Sequence, residues 1–403
     1  MRWDLIRSSL TETVIKTSRQ FESAIKQYNS KSAQSWDFVA LHELFEDEFA
    51  DEDSDYFFTN ILPKVIDLAL RLPELIKHPI PLMKMKMNHS ISMSQEQCGC
   101  LLANAFFCTF PGRNSERKNT DYPEINFNRL FSTKSDSVME KIKCVLNYFK
   151  QICSVKLPTG VLTFQRRFIE PKSFPNWQES EAKFSGMKIF VSSIGTIEDA
   201  TAMLQVDFAN RFLGGGVLGR GCVQEEIRFM NNPEMIVGML FCESMKLQEA
   251  ILMTGCEMYN KHSGYASSFK WAGNKTDLTE CDEFRRKMTY VVAIDALFFH
   301  KPYMQFEEFP LERELKKAYT GFYHDPNDET LPIPVGTGNW GCGAFRGFKP
   351  LKALIQLIAC CLNRRNLAYY TFGEVQLKNQ INAMFDWLCT NEVTVGEKHL
   401  SSF

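Results

Sequence analysis

No C-x-x-C pair occurs in this chain, and its close cysteine couples, Cys98 with Cys100 and Cys360 with Cys361, lack a His or Cys partner at metal-ligand spacing. That argues against a zinc module and leaves the 13 Cys as reduced core thiols of an intracellular protein. No apolar run reaches the roughly 18 residues that a membrane span needs, and Met1-Arg2-Trp3-Asp4 opens no secretory apolar segment. A protein without membrane contact, resident in nucleus, cytoplasm or both, is expected. Basic excess is missing too: 46 Lys and Arg stand against 48 Asp and Glu, so a polyanion would not be gripped along its length by counterion release. Direct DNA binding is therefore not expected, and a nucleic-acid-like substrate would be read locally. Internal repeats, low-complexity tracts and long charge blocks are absent as well.

What is present is apolar and aromatic. A hydrophobic fraction of 44% with 33 Phe over 403 residues describes a well-packed chain of two or three domains. Before residue 155 the apolar residues recur at helical spacing in Phe57–Ile76, Cys98–Phe110 and Val138–Ile152, the second announced by the capping-box pattern Ser94-Gln95-Glu96-Gln97. This half, residues 1–155, reads as a helical bundle. From 156 to 403 short β-rich runs follow: Val161–Phe164, Met187–Val191, Met203–Phe208, Met235–Phe241, Ala250–Thr254, Tyr290–Leu297 and Leu367–Phe372. Helical segments such as Pro350–Asn363 lie between them, so an α/β layered domain with a largely buried sheet is expected. Pro158-Thr159-Gly160 and Glu170–Phe184 read as loops.

The chemistry concentrates in Gly214-Gly215-Gly216-Val217-Leu218-Gly219-Arg220-Gly221-Cys222-Val223-Gln224-Glu225-Glu226. Glycines can bring bare backbone N–H groups against a phosphate, and the acids that follow can move a proton. The run also satisfies G-x-G-x-x-G after a strand, with Glu234 at the spacing of a ribose-binding acid. A dinucleotide fold, however, opens from strand straight into helix, whereas Asp207–Leu213 intervene here and Gly219 and Gly221 delay any helix. Glu225 and Glu226 cannot flank a sugar as the usual glycosidase pair does, because neighbours in one chain point apart. One could still act as general acid and base while the other holds ribose hydroxyls. Equally, both suit a helix start before Ile227, where carboxylates favour the dipole. The residues alone leave these readings side by side.

The stretch from Val206 through Gly216 and on to Gln224-Glu225-Glu226-Ile227-Arg228-Phe229 resembles the signature of the poly(ADP-ribose) glycohydrolases, three glycines and a spacer before Gln-Glu-Glu. Leu101–Pro111, Gly264-Tyr265-Ala266, Gly338–Phe345 and Leu351–Gln356 resemble further blocks of its eukaryotic branch. The resemblance implies a macrodomain-like mixed-sheet core with an N-terminal helical accessory domain. It implies hydrolysis of the ribose–ribose O-glycosidic bonds of poly(ADP-ribose), free or on poly(ADP-ribosyl)ated proteins, with ADP-ribose released mainly from the chain end and neither cofactor nor metal required. Glu226 matches the acid/base, Glu225 the acid on ribose hydroxyls, and Gln224, Asp207 and Asn210 polar residues shaping the site. Gly214, Gly215 and Gly216 match the diphosphate loop and Asn339 and Phe345 a second loop. Ile197 and Glu198 match the adenine-contacting pair, Tyr265 a clasping tyrosine, and Phe372 an aromatic against adenine. Arg346-Gly347-Phe348-Lys349 departs from the glycine and acid that relatives carry there. A non-catalytic ADP-ribose-binding macrodomain is the competing function; it would need the loop and the aromatics but not Glu226.

Overall fold

The computed structural model describes residues 2–30, 32–112, 121–154, 158–327 and 331–396. The change of pattern expected at 155 falls on residues outside this set. Among the described residues ten strands are formed: β1 (His89–Ser94), β2 (Val161–Phe168), β3 (Ile189–Ser192), β4 (Leu204–Asp207), β5 (Glu249–Gly255), β6 (Asn260–Ser263), β7 (Lys270–Asn274), β8 (Lys287–Ala293), β9 (Val335–Gly338) and β10 (Leu367–Tyr370). Eight build one mixed sheet in the order β1-β2-β5-β8-β4-β9-β10-β3, and β6 and β7 pair separately. Neighbours along β1, β2, β5 and β8 pair antiparallel, whereas β8, β4, β9, β10 and β3 run parallel. The inner parallel strands β4, β9 and β10 are buried at every residue, as strands covered on both faces must be.

Alternation along the central strands divides the core in two. Ile251, Met253, Val291 and Ala293 join the helices of residues 2–152 in one cluster. Ala250, Val292 and Ile294 face the other way, onto the helices Glu308–Phe322, Lys349–Leu362 and Val375–Thr390. The result is helix, sheet, helix, an α/β architecture in which the N-terminal helices cover part of one sheet face. Ser94 and Gln97 form the expected capping box at the start of the Gln95–Phe106 helix.

Several elements differ from expectation for identifiable reasons. Met235–Phe241 is not a strand; Pro233–Leu240 is a 3-10 helix, opened by Pro233 in its first turn. Phe57–Ile76 is helical but not one regular α-helix: a π-helical turn over Phe57–Ile61 runs directly into a helix over Leu62–Leu70 and a short one follows over Leu72–Leu75, with Pro63 and Pro73 each at the start of an α-helical piece. β1 lies within the half expected to be helical; its Ile91 and Met93 point inward between outward serines. β9 carried no β-rich signal because half of it is glycine. A Cβ at Gly336 would lie 2.5 Å from that of Ala200, and one at Gly338 2.6 Å from the Tyr370 carbonyl, so close approach dictates glycine.

Glu234, placed where a dinucleotide fold would need its acid, is instead sealed between the N-terminal helices and the rest. Its carboxyl accepts from Tyr259 at 2.8 Å and, more weakly, from Tyr148 and Gln95, and burial pushes its pKa up to about 8. The unfolded chain ionises this group near pH 4, so the folded state holds a proton that the unfolded state has lost across the window from about 4 to 8. Its contribution to stability therefore falls as pH rises through that window. Glu234→Gln, which cannot ionise, should gain roughly 2 kcal/mol on the wild type between pH 6 and pH 9. Urea unfolding of both proteins at the two pH values checks this; a stability difference that stays constant with pH would show that Glu234 ionises normally.

Candidate active site

Parallel strands deliver their outgoing loops to one edge of the sheet. Ile197 and Glu198 follow β3, the stretch from Asp207 to Glu226 follows β4, Asn339 to Phe345 follow β9, and Phe372 follows β10. A crevice outside the carboxyl ends of parallel strands is where open α/β sheets bind ligands. Tyr265 arrives separately, from the connection between β6 and β7, and is tied in by the Ala266 amide donating to the Cys222 carbonyl at 3.0 Å.

The segment after β4 winds through successive turns and becomes helical only at Gln224–Asn231, so the glycine run is not a strand-to-helix phosphate turn. Glu225 and Glu226 do occupy the first helical turn, and both are also buried against the loop. Glu225 accepts from the amides of Gly214 and Asn210, both at 2.8 Å. Glu226 accepts from Gly216 at 2.8 Å and Val223 at 2.9 Å, and Gln224 accepts from Phe208 at 2.7 Å. Contrary to expectation, the adjacent acids do not diverge: a Cβ at Gly215 would meet Glu225 Oε2 at 2.5 Å and Glu226 Oε1 at 2.6 Å. Gly214 and Gly215 have φ of +86° and +51°, the left-handed region that glycine enters freely.

The glycine amides are engaged within the fold: Gly214 and Gly216 donate inward to the two glutamates and Gly215 donates to the Phe212 carbonyl at 3.0 Å. The spacer is held from its other side by Lys141, a buried residue of the Asp136–Ile152 helix. Its ammonium donates to the carbonyls of Val217 (2.9 Å), Gly219 (2.6 Å) and Gly221 (2.6 Å). In a trans peptide the following N–H opposes the carbonyl, so the amides of Leu218, Arg220 and Cys222 are turned away from Lys141. Among the described residues these three amides have no acceptor. Nothing in the glycine motif announced Lys141. The available signal was a lysine three residues after Val138 and four before Val145, on a helical stripe that is otherwise apolar.

Asp207, at the end of β4, is fully buried with neither carboxyl oxygen hydrogen bonded. Burial raises its pKa to about 8, against the pull of Arg228 and with the charges of Glu226 and Glu198 adding to the rise. Glu225 is likewise pushed well above the carboxylate range by burial, then by Asp207 and Glu226. Arg228, part of the signature but assigned no role there, lies 3.6 Å from Glu198. Across the crevice Asn339 accepts from the Tyr369 hydroxyl at 3.0 Å, while the amides of Gly343, Ala344 and Phe345 have no acceptor among the described residues. The Ile197 side chain is packed in a small cluster with Ala200, Ala368 and Tyr370. Phe372 is 43% exposed at φ +52°, a strained conformation for a bulky residue, with its ring over Gly338. Tyr265 is 55% exposed; partial burial raises its pKa, the Gln224 amide lowers it and the Glu226 charge raises it, which sets its hydroxyl beside the acids.

The family model for the poly(ADP-ribose) glycohydrolase macro domain fold matches residues 174–379, and that for the helical domain of the same family matches residues 49–166. The chain is 34% identical to poly(ADP-ribose) glycohydrolase 1 of Arabidopsis thaliana, over 88% of this chain and 79% of the relative. It is 33% identical to a probable poly(ADP-ribose) glycohydrolase 2 of the same plant with the same coverage. To poly(ADP-ribose) glycohydrolase 1 of Caenorhabditis elegans it is 36% identical, over 76% of this chain and 39% of the relative.

Three substitutions probe the two loops and the lysine that holds the first. Gly215→Ala combines a left-handed φ with the carboxylate clash and should cost about 2 kcal/mol or more, whereas Gly343→Ala, with open space around it, should stay within about 0.5 kcal/mol of the wild type. Lys141→Met strands three buried carbonyls and should cost about 3 kcal/mol. Denaturant unfolding measures all three, and a Lys141→Met protein as stable as the parent would show that the carbonyls find other donors.

Proposed function

The chain belongs to the poly(ADP-ribose) glycohydrolases, a family of glycosidases, and from that premise we propose that Glu226 is the general acid and base that cleaves a ribose–ribose bond of poly(ADP-ribose). The observation that carries this reading is the convergence of Glu225 and Glu226 on one glycine at the mouth of the crevice. Glu226 protonates the departing ribose oxygen, and the same carboxylate then takes a proton from the water that attacks the oxocarbenium-like centre. Glu225 holds ribose hydroxyls. Asp207, with its raised pKa and no donor on its oxygens, keeps a proton in the cluster at neutral pH, because closely packed buried carboxyls cannot all ionise.

The diphosphate is bound by the free amides of Gly343, Ala344 and Phe345 together with those turned outward in the Leu218–Cys222 spacer, and not by Gly214–Gly216. Neutral amides suit a chain of net charge −2. Phe372 lies against adenine and Tyr265 clasps the ligand near Glu226. Gln224, Asn210 and Glu198 shape the site through the contacts described, and Asn339 orders the second loop. Cleavage releases ADP-ribose from the chain end, with the macrodomain-like part, from about residue 156, carrying the chemistry.

Incubation with automodified poly(ADP-ribose) polymerase should release free ADP-ribose. Glu226→Gln keeps the shape and removes the transferable proton, so turnover should fall by about 10²- to 10⁴-fold while ADP-ribose binding by calorimetry stays within about tenfold. Turnover near that of the wild type would remove Glu226 from the mechanism.

A further inference from the structure

The loop after β8 leaves aromatic side chains in solvent beside the crevice. Phe298 is 43% exposed, Tyr303 60% and Phe306 42%, and Phe348, at the end of the second loop, is 49% exposed. Single exposed rings are ordinary, but a group of them on one surface marks a binding face. This group is fastened to the second loop of the crevice. The Phe299 amide donates to the Phe345 carbonyl at 3.1 Å, the Phe298 ring meets the Phe345 ring edge-on at 6.3 Å, and the Phe306 and Phe348 rings lie 6.0 Å apart. Cations are interleaved. Arg346 lies over the Phe298 ring at 5.4 Å and Lys301 over Tyr303 at 5.8 Å, and neither forms an ion pair among the described residues. Asp295, the nearest acid in sequence, is buried and paired with Arg313 and Lys317, and Glu307 and Glu308 come after Phe306, so the Phe298–Tyr303 part of the surface is the cationic one.

The sheet order gives the surface its direction. Phe372 follows β10, beside the edge strand β3, the glutamates follow β4, and the aromatic loop follows β8, on the far side of β4 from β10. A ligand lying along this edge with its adenine at Phe372 and its scissile ribose at Glu226 points its continuation toward the loop after β8. We propose that this aromatic and cationic surface is a subsite for the polymer beyond the scissile bond. Adenines of neighbouring ADP-ribose units stack on Phe298, Tyr303, Phe306 and Phe348, and Arg346 and Lys301 meet their diphosphates. The inference rests on poly(ADP-ribose) being the substrate. It gives a chain with almost no net charge a local grip on a polyanion, through stacking that tolerates solvent and two unpaired cations.

The test is a binding measurement on the full chain in the Glu226→Gln background, so that the polymer is not consumed. Tyr303→Ala and Arg346→Gln change exposed side chains and leave the core intact. With long poly(ADP-ribose) as probe, Tyr303→Ala should weaken binding about tenfold, the scale of one lost stacking contact, and Arg346→Gln should flatten its salt dependence. ADP-ribose itself should bind both variants within twofold of the parent. Polymer affinity unchanged in both variants overturns the subsite, as does an equal loss for polymer and ADP-ribose, which would place the effect in the crevice. A wild-type protein that binds the polymer through this surface without releasing ADP-ribose would overturn the hydrolytic reading and leave the subsite standing.

Discussion

The hydrogen bonds from the amides of Gly214 and Gly216 to the carboxylates of Glu225 and Glu226 are the constraint on which the crevice depends. They require the loop to approach two side chains so closely that no Cβ fits at Gly215 or Gly221, where one would meet Glu226 Oε1 at 2.6 Å. They fold the acids back toward the chain that precedes them, and they fix which faces of the spacer remain open. Charge-assisted bonds from backbone amides are strong and cost no side-chain entropy on the donor side. The loop is therefore shaped by the acids as much as the acids are placed by the loop.

The N-terminal helices complete this constraint and do not merely pack beside it. Lys141 gathers three carbonyls of the spacer, so the amides on the opposite side of those peptides are turned outward as a consequence of a residue some 80 positions earlier in the chain. Burying an ammonium costs several kcal/mol unless its protons are satisfied, and the desolvation shows in a pKa lowered to about 8. Three carbonyls answer its three donors. The same helix brings Tyr148 to Glu234, and its Asn147 donates to the Tyr259 carbonyl at 3.1 Å. The interface is polar at its centre and continuous with the hydrophobic cluster on either side, which makes the helical part a wall of the glycine loop.

How much of this was legible in the sequence depended on whether the signal was local. β2, β4, β5 and β10 were readable from short β-rich runs, and the capping box at Ser94 from its spacing, because in each the residues that make the signal also make the structure. Rejection of a dinucleotide turn was local too: residues 208–223 stay in turns until the helix at Gln224. β9 was not readable, since its glycines answer to Ala200 and Tyr370, remote in sequence. The strand expected at Met235–Phe241 failed because a short apolar run does not choose between strand and helix, and Pro233 chose. For the crevice, the residue types were legible and their directions were not. The glycines were expected to aim amides at a phosphate and the glutamates to diverge; the fold turns the amides inward and the carboxylates together. Lys141 lay outside every motif, and only the packing of a remote helix on the loop reveals it; Arg228 stood within the signature, and only the fold shows its approach to Glu198.

The direction of the carboxylates narrows the chemistry that the site can perform. Two acids that converge on a single glycine cannot stand on opposite faces of a sugar ring, so the usual division between a proton donor on one side and a nucleophile or base on the other is closed to them. On the proposed reading one side chain serves both proton transfers, and the positive centre formed between them is stabilised by an anion. On the proposed reading that anion comes with the substrate: a diphosphate held by the free amides of Gly343, Ala344 and Phe345 carries its charge into the crevice. This explains why the second loop offers amide donors where another glycosidase would offer a carboxylate. It also ties catalysis to the presence of a diphosphate, so that a sugar lacking one would enter the crevice without the charge needed to leave it cleaved.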